Sequence, residues 1–278
     1  MYKRQAFSNN IEYKPTKNLL KKIYYLIEPY LEFYVLRHVD KFIVENKKAK
    51  KIVLNFGVKS NDVKIIPYYV EDFFSTCINP NYDKNSEFLK IGYTGRFKSY
   101  DTLNPVINTI ALMKEKNFKI LLYLIGDGPN RRFIENMVIK KGLSQQVIFL
   151  GSKSHQEVAK LIEDYHCLLL PMYNNLFIST IPIKILEGIM KGKIIITTDS
   201  GNVISLFLGN TDLILKNATK DNIMHKIELI VENYEKYRDI AENLSKYHSI
   251  KRSHHRIQNK INILLLEMNN RNFFNNKR

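Results

Sequence analysis

The sequence has few cysteines and no stretch with the character of a signal peptide. Cys77 and Cys167 are its two cysteines, they form no CxxC pair, and no hydrophobic run follows Met1. A disulfide framework and export are therefore not predicted, and a reducing, cytoplasmic compartment is expected. Tracts rich in Pro, Gly or Ser are also missing, so long disordered linkers are not expected.

One apolar run, residues 23–39, approaches the length of a membrane span. Hydrocarbon tolerates charged and helix-breaking groups poorly, and this run contains Glu28, Pro29, Glu32 and Arg37. A transmembrane helix is therefore not predicted. Because basic residues precede the run, two interpretations remain: a basic amphipathic helix in peripheral contact with the inner face of a membrane, or a helix packed on its own domain. The second is favoured.

The charge balance is strongly positive, with 43 Lys and Arg against 27 Asp and Glu and a net charge of +16. Such a balance suits nucleic acid, an anionic membrane surface or phosphorylated substrates. Lys, Asn and Ile are abundant together, as AT-rich coding alone would produce, so the charge by itself decides little. Nucleic acid is not expected as a partner.

Short apolar runs alternate with segments of helical period from residue 88 onward, which is the signature of βα units on a parallel sheet. Leu103, Ile107, Ile110 and Met113 mark the inward face of one such helix. The predicted strands are 88–94, 119–125, 146–150, 167–171, 193–198 and 212–215. The predicted fold class is α/β, with a doubly wound parallel sheet and a partial second α/β domain.

The region before residue 80 has too few elements for a complete doubly wound domain. Its pattern predicts a helix at 17–38, a strand at 41–45, a helix at 46–55 and a strand at 63–66. Polar residues around Asn79-Pro80-Asn81 predict a hinge between Cys77 and Lys84. The expected organisation is a partial N-terminal domain at 1–80, a main domain at 81–268 and a tail at 269–278.

Three segments that follow predicted strands carry the candidate chemistry, because ligands bind beyond the carboxyl ends of the strands in open α/β sheets. The first is the turn with Gly95 and Arg96. Glycine lets the backbone approach a ligand, and the guanidinium fork suits a diphosphate. An ordinary surface arginine after a turn is the alternative, and taken alone it is the better interpretation.

The second segment is Gly126-Asp127-Gly128-Pro129, between a strand and a helix. The glycines suit a tight turn, and a proline at the helix start leaves amides and a dipole that attract anions. An ordinary βα turn has much the same composition.

The third segment leads from a loop, Ser179-Thr180-Ile181-Pro182, into a helix that carries Lys184 and Glu187. These two side chains are three residues apart and share one face in the first turns, where phosphate is favoured. An ammonium for phosphate and a carboxylate for two ribose hydroxyls would bind a nucleotide. The alternative is an exposed ion pair that contributes about 0.2 to 0.5 kcal/mol.

Together these segments resemble the GT-B glycosyltransferases of the large retaining family that uses nucleotide sugars, the group 1 or family 4 type. The similarity also extends over "VIFLG", "LLLPMYNN" and "IPIKILEGIMKGKIIITTDSG". The resemblance implies that Arg96 binds the donor diphosphate and Glu187 the ribose, with Lys184 as a further catalytic cation. It implies donor contacts at Gly95, Gly126, Asp127, Gly128, Ser179, Thr180, Ile181 and Pro182.

The sequence departs from the family pattern at two positions of the site and at its front. Ser179 stands where the first of two acidic residues is usual, and Asp101 where a lysine is common. Both features resemble a branch with the motif Pro-x-Lys-x-x-Glu, in which Lys184 replaces the missing cation. Much of the N-terminal, acceptor-binding domain is expected to be missing.

The resemblance implies sugar transfer from a nucleotide-diphosphate donor to a saccharide or lipid-linked acceptor in cell-surface glycan synthesis. Neither a metal nor a further cofactor is then expected. The alternative is a non-catalytic nucleotide-binding module that needs a partner chain to supply the acceptor domain. A nucleotide oxidoreductase is not favoured, because no GxGxxG follows a strand. His254 and His255 are interpreted as solvated rather than metal-binding, His155 as a helix-start residue and His166 as a strand residue.

Overall fold

The computed structural model describes residues 27, 30, 31, 34–36, 38–74, 79–85, 87–98, 100–172, 181–199, 202–252 and 254–275. The described residues before Val70 and after His254 form one compact unit, and those from Val70 to His254 form another. The predicted hinge begins at Cys77, which lies outside the described residues, and the division at residue 80 stays a prediction.

The smaller unit contains a short βαβ arrangement. Strands β1 (Phe42–Val44) and β2 (Val63–Ile65) pair in parallel, and helix α1 (Lys47–Asn55) connects them. Asn46 caps α1 by accepting a hydrogen bond from the amide of Ala49 at 2.8 Å, as asparagine commonly does at a helix start. The strands and the helix predicted between residues 41 and 66 are thus confirmed, with slightly shorter bounds.

The helix predicted at 17–38 lies largely outside the described residues. Those that are described between 27 and 38 are helical, and most of their apolar side chains are exposed: Ile27, Tyr30, Leu31, Tyr34 and Val35. Within the described part of the chain, no helix is both long enough and apolar enough to cross a bilayer.

The larger unit is built on a sheet of six parallel strands. They are β3 (Leu89–Thr94), β4 (Ile120–Ile125), β5 (Val147–Gly151), β6 (Cys167–Leu170), β7 (Ile194–Thr198) and β8 (Ile214–Leu215). β6 is buried at every position, and so is β7, as expected for strands covered by helices on both faces. The predicted fold class is confirmed.

The strands are arranged in the order β5-β4-β3-β6-β7-β8. The chain builds outward from β3 to β5 and then returns to place β6 against the other side of β3. This reversal is the topological switch point of a doubly wound sheet, where a crevice opens beyond the carboxyl ends of the central strands.

Helices α2 (Tyr100–Glu115), α3 (Arg131–Lys140), α4 (His155–Leu161), α5 (Ile183–Met190), α6 (Lys220–Glu232), α7 (Tyr234–Arg252) and α8 (His254–Asn275) complete the fold. The predicted inward residues of α2 are fully buried. Gly142 follows the end of α3 and Gly192 the end of α5, as predicted. α8 continues to Asn275, within the stretch predicted to be a tail.

Candidate functional site

A cleft of about 830 Å³ lies at the switch point of the larger unit. It is lined by the turns after β3 and β4, the loop after β5 with the start of α4, the first turns of α5, and Phe74. The cleft therefore occupies the end of the sheet where parallel α/β proteins bind ligands.

Two glycines bring the turns after β3 and β4 into direct contact. Gly126 has a φ of +140°, and a Cβ at this position would lie 2.0 Å from the carbonyl oxygen of Gly95. The amide of Gly95 donates to Ile125 at 3.0 Å, and that of Gly126 donates to Gly151 at 2.8 Å. A side chain at Gly126 is therefore incompatible with this arrangement, and the backbone forms the floor of the cleft.

The turn after β4 is further fixed by Asp127. Its carboxylate accepts a hydrogen bond from the amide of Gly128 at 2.7 Å and forms an ion pair with Arg131 at 3.2 Å. The Gly128 hydrogen bond is the main reason that the pKa of Asp127 is lowered. Arg131 also donates to Glu135 at 2.7 Å. The amides of Gly126 and Gly128 thus have partners within the protein.

Lys184 extends from the first turn of α5 toward the end of β3. Its Nζ donates to the carbonyl of Thr94 at 3.3 Å and lies 5.2 Å from the centroid of the Tyr93 ring. Burial lowers the pKa of Lys184 to about 8, and the nearby Glu187 opposes that shift. The ammonium lines the cleft, so an anion there would meet a cation that the protein solvates poorly.

Glu187 lies one turn further along α5, and its side chain is only 13% exposed. Burial raises the pKa of this carboxyl, while His155 and then Lys184 act in the opposite direction. Nδ1 of His155 lies 3.6 Å from Oε1 of Glu187. A carboxylate that lines a cleft with little water around it can accept hydrogen bonds from ligand hydroxyls.

Arg96 follows Gly95 in the turn after β3, where its side chain is exposed and lines the cleft. The amide of Phe97 donates to Asp127 at 2.9 Å, and Asn130 donates to the carbonyl of Lys98 at 2.9 Å. The two residues that follow Arg96 are therefore held by the neighbouring turn, which anchors the backbone beside the exposed Arg96 side chain.

The structure brings most of the predicted site residues to this one cleft: Gly95, Arg96, Gly126, Asp127, Gly128, Lys184 and Glu187. Ser179 and Thr180 lie outside the described residues. Ile181 is buried at 4% exposure and Pro182 immediately precedes α5, and neither of them is among the residues that line the cleft. The roles assigned to the set by resemblance stay predictions.

Sequence reasoning did not assign several residues of the cleft wall: Phe74, Ser152, Lys153, His155 and Val158. His155 is the first residue of α4, which agrees with its prediction as a helix-start residue. A signal for its position existed in Ser154 and Glu157, which form a capping box at that helix start. Nothing in the sequence indicated that this helix start faces α5.

His166 is buried and hydrogen-bonded within the larger unit. His166 precedes β6 by one residue rather than lying within it. Its Nδ1 accepts a hydrogen bond from the amide of Lys90 at 2.9 Å, and burial lowers its pKa to about 4. Among the described residues, no group of three or more His, Cys, Asp or Glu side chains could hold a metal ion.

The sequence matches a family of glycosyl transferases. The pattern of the family "Glycosyl transferases group 1" matches residues 76–247, which is more than half of the chain. An uncharacterized glycosyltransferase of Methanocaldococcus jannaschii is 28% identical over 210 residues, covering 75% of this chain and 52% of that protein. The chain thus spans about half the length of this curated relative.

Solved structures share the fold at low sequence identity. Anabaena HepE in complex with UDP superposes with a TM-score of 0.67 at 16% identity, covering 84% of this chain and 65% of that one. A variant of S. aureus TarM, in complex with UDP and other ligands, superposes with a TM-score of 0.63 at 18% identity, covering 91% of this chain and 48% of that one.

Proposed function

The chain belongs to the group 1 glycosyl transferases, and we propose that it transfers a sugar from a nucleoside-diphosphate donor to a hydroxyl group of an acceptor, with retention at the anomeric carbon. The observation that carries this proposal is the convergence of Arg96, Lys184 and Glu187 on one cleft at the switch point of the sheet. Two cations and one carboxylate in such a place match the charges of a diphosphate and the hydroxyls of a ribose.

The diphosphate binds between Arg96 and Lys184 in this proposal. The ammonium of Lys184 donates to a carbonyl and lies over an aromatic ring, and a phosphate oxygen would be a stronger acceptor than either. The guanidinium of Arg96 is exposed on the cleft wall and can form two parallel hydrogen bonds to phosphate oxygens. The start of α5 adds the positive end of a helix dipole.

The ribose binds at Glu187. A buried carboxylate is unfavourable unless donors satisfy its oxygens, and the raised pKa of Glu187 reflects this cost. Two adjacent ribose hydroxyls supply two donors to the two carboxylate oxygens. The proximity of Lys184, three residues earlier on the same helix, then places the diphosphate next to the ribose, as in a nucleoside diphosphate.

The same cations account for the chemistry. When the bond between the sugar and the diphosphate breaks, negative charge grows on the leaving group, and preorganised positive groups stabilise that charge more than they stabilise the substrate. Because Arg96 and Lys184 supply this charge, the proposed reaction needs neither a metal ion nor a further cofactor. We expect turnover to persist when EDTA is present.

A nucleotide sugar is also the ligand type that the structural neighbours suggest. Crystal structures of Anabaena HepE contain UDP, UDP with glucose, or UDP-glucose. Apart from Phe74, the residues that line the cleft lie in the part of the chain that the group 1 family pattern covers. Gly95, Gly126, Asp127, Gly128 and the loop 179–182 are assigned to donor binding as part of this proposal.

The acceptor is proposed to be a saccharide or a lipid-linked saccharide of cell-surface glycan synthesis, reached from the inner face of the membrane. The exposed apolar side chains on the helical residues near the front of the chain support a peripheral contact of this kind. They include Tyr30 and Tyr34, which are 69% and 61% exposed, and aromatic side chains of this type favour the boundary between water and lipid.

Calorimetry with UDP, GDP and ADP tests the proposal directly. Binding of at least one of them by the full chain is expected, and no binding of any at millimolar concentration would contradict the proposal. Product formation from a UDP-, GDP- or ADP-sugar, with the anomeric configuration read by NMR, then tests transfer and retention. Binding without turnover would favour the alternative, a donor-binding module that acts with a partner chain supplying the acceptor domain.

A further inference from the structure

His155 is the cleft side chain that approaches Glu187 from a different helix. His155 is the first residue of α4, whereas Glu187 lies within α5. Nδ1 of His155 is 3.6 Å from Oε1 of Glu187, which is within the range of an ion pair but beyond that of a good hydrogen bond. The interaction is therefore electrostatic, and it is attractive when the imidazole carries a second proton.

A helix cap and a buried ring hold His155 in this place. Ser154 and Glu157 form a reciprocal capping box, in which the Ser154 amide donates to the Glu157 carboxylate at 2.8 Å. On its other side the His155 ring meets Phe74 edge to face, with centroids 6.5 Å apart. Phe74 is 1% exposed, and its turn (Asp72–Phe74) contacts both α4 and α5. The capping box and the buried Phe74 ring thus position the imidazole of His155.

Glu187 is largely buried, so a positive neighbour favours the ionised form of its carboxyl. Its side chain is 13% exposed, whereas that of His155 is 73% exposed. Burial raises the pKa of Glu187, and His155 is the largest influence in the opposite direction, ahead of Lys184. The imidazole of His155 is thus largely exposed, and it lies close enough to act on the carboxylate.

Several other ionisable groups lie on the elements that surround Glu187. Lys184 precedes it on α5, and Arg96, Asp127 and Lys153 line the remaining walls of the cleft. The turn that packs against both helices contributes Asp72. On α7, which also packs on α5, the buried imidazole is that of His248, and burial lowers its pKa to about 4. His155 is thus the histidine within ion-pair distance of Glu187.

We infer that His155 is a positioning residue for the donor: its imidazolium keeps Glu187 ionised and aimed at the ribose, and so extends nucleotide binding to lower pH. This inference rests on the proposed function, because it assigns a role to Glu187 in binding ribose. It adds a residue outside the three predicted segments, and it gives the cleft a dependence on pH that neither Lys184 nor Arg96 would produce in the acidic range.

Nucleotide titrations over a range of pH, with whichever of UDP, GDP and ADP binds the full chain, test this inference. His155→Gln removes the charge and keeps a polar side chain, whereas His155→Lys keeps a positive charge at every pH used. At about pH 6 the Gln variant is expected to bind roughly two- to fivefold more weakly than the wild type. At about pH 8 the two should bind more nearly alike, because histidine side chains in general lose their positive charge toward alkaline pH.

The decisive measurement is the pH at which nucleotide binding is lost on acidification. It should move to higher pH in His155→Gln and return to the wild-type value or lower in His155→Lys. A uniform loss at every pH, or a Lys variant that behaves like the Gln variant, would show a role in packing alone and overturn the inference. Because His155 is largely exposed, both variants are expected to melt at the wild-type temperature.

A third variant separates this inference from the proposed function. In a Glu187→Gln background, His155→Gln should have no further effect on the acidic side of the profile, because the group that it acts on is gone. A wild-type chain that binds none of the nucleotides contradicts the proposed function itself. A wild-type chain that binds, and whose profile His155→Gln leaves unmoved, contradicts only the role of His155.

Discussion

Lys184 donates a hydrogen bond of 3.3 Å to the carbonyl of Thr94 and so joins the start of α5 to the last residue of β3. The same nitrogen lies 5.2 Å from the centroid of the Tyr93 ring. A carbonyl and a ring face compensate a dehydrated ammonium only in part, and the pKa of Lys184 is accordingly lowered to about 8 by burial. The cation is thus positioned before any ligand arrives.

Nucleotide affinity is expected to fall as the pH rises past about 8, the pKa of Lys184. A bound diphosphate favours the protonated amine, so the complex holds a proton that the free protein releases above that pH. Calorimetry above pH 8 in two buffers with different ionisation enthalpies should show net proton uptake on binding. Equal apparent enthalpies in the two buffers would contradict this prediction.

Lys184→Met should weaken nucleotide binding by about ten- to a hundredfold, since hydrogen bonds to charged groups contribute about 1.5 to 3 kcal/mol. The proton uptake should disappear with the amine. Lys116→Met is a suitable control, because Lys116 forms an ion pair with Glu228 at 3.0 Å and is half exposed. Equal losses in the two variants would point to a general effect of charge rather than to a site.

Gly126→Ala should destabilise the fold more than Gly209→Ala does. Both glycines have a positive φ, +140° and +91°, but a Cβ at Gly126 meets the Gly95 carbonyl at 2.0 Å, whereas nothing lies within 4 Å of one at Gly209. Gly209→Ala therefore measures the backbone strain alone, about 1 to 2 kcal/mol. Urea unfolding of both variants should show an additional loss of about 2 kcal/mol or more for Gly126→Ala.

The sheet was predictable from the sequence because its central strands are apolar at successive positions. The predicted strand 167–171 is observed as Cys167–Leu170, and 193–198 as Ile194–Thr198. The last strand, predicted at 212–215, is observed only as Ile214–Leu215. Residues 211–213 form a 3-10 turn whose Leu213 is buried, so the apolar pattern could not distinguish turn from strand there.

The site was predictable where its residues directly follow strands, as Gly95 and Gly126 do. Phe74 belongs to an isolated 3-10 turn without periodicity, and its contact with His155 joins segments far apart in the chain. That α4 and α5 face each other across the cleft depends on the return of β6 to the side of β3. No local sequence pattern determines this strand order, so the contact between His155 and Glu187 could not be predicted from the sequence.

Glu187→Gln should stabilise the protein slightly while it weakens nucleotide binding to a level that calorimetry still measures. The folded pKa of Glu187 is raised by burial, so the fold favours the protonated form, and stability is lost as the pH rises through the folded pKa. A neutral amide removes this loss, with an expected gain under about 1 kcal/mol at neutral pH. Thermal melting at pH values on both sides of the transition checks it, and a lower melting temperature of the variant at neutral pH would contradict it.

Ser154→Ala should reduce both stability and nucleotide binding, whereas Thr219→Ala should reduce stability alone. Each hydroxyl caps a helix of the larger unit by accepting an amide hydrogen bond at 3.3 Å, and loss of such a cap costs about 1 kcal/mol. Ser154 precedes His155 at the start of α4, whereas Thr219 caps α6 and does not line the cleft. Both variants should lose the same stability, and only Ser154→Ala should bind nucleotide more weakly at acidic pH. This outcome would show that the cap acts on the ligand through the placement of His155. If both variants bind nucleotide like the wild type, the start of α4 keeps the imidazole in place without its cap, and the neighbouring Phe74 suffices to position it.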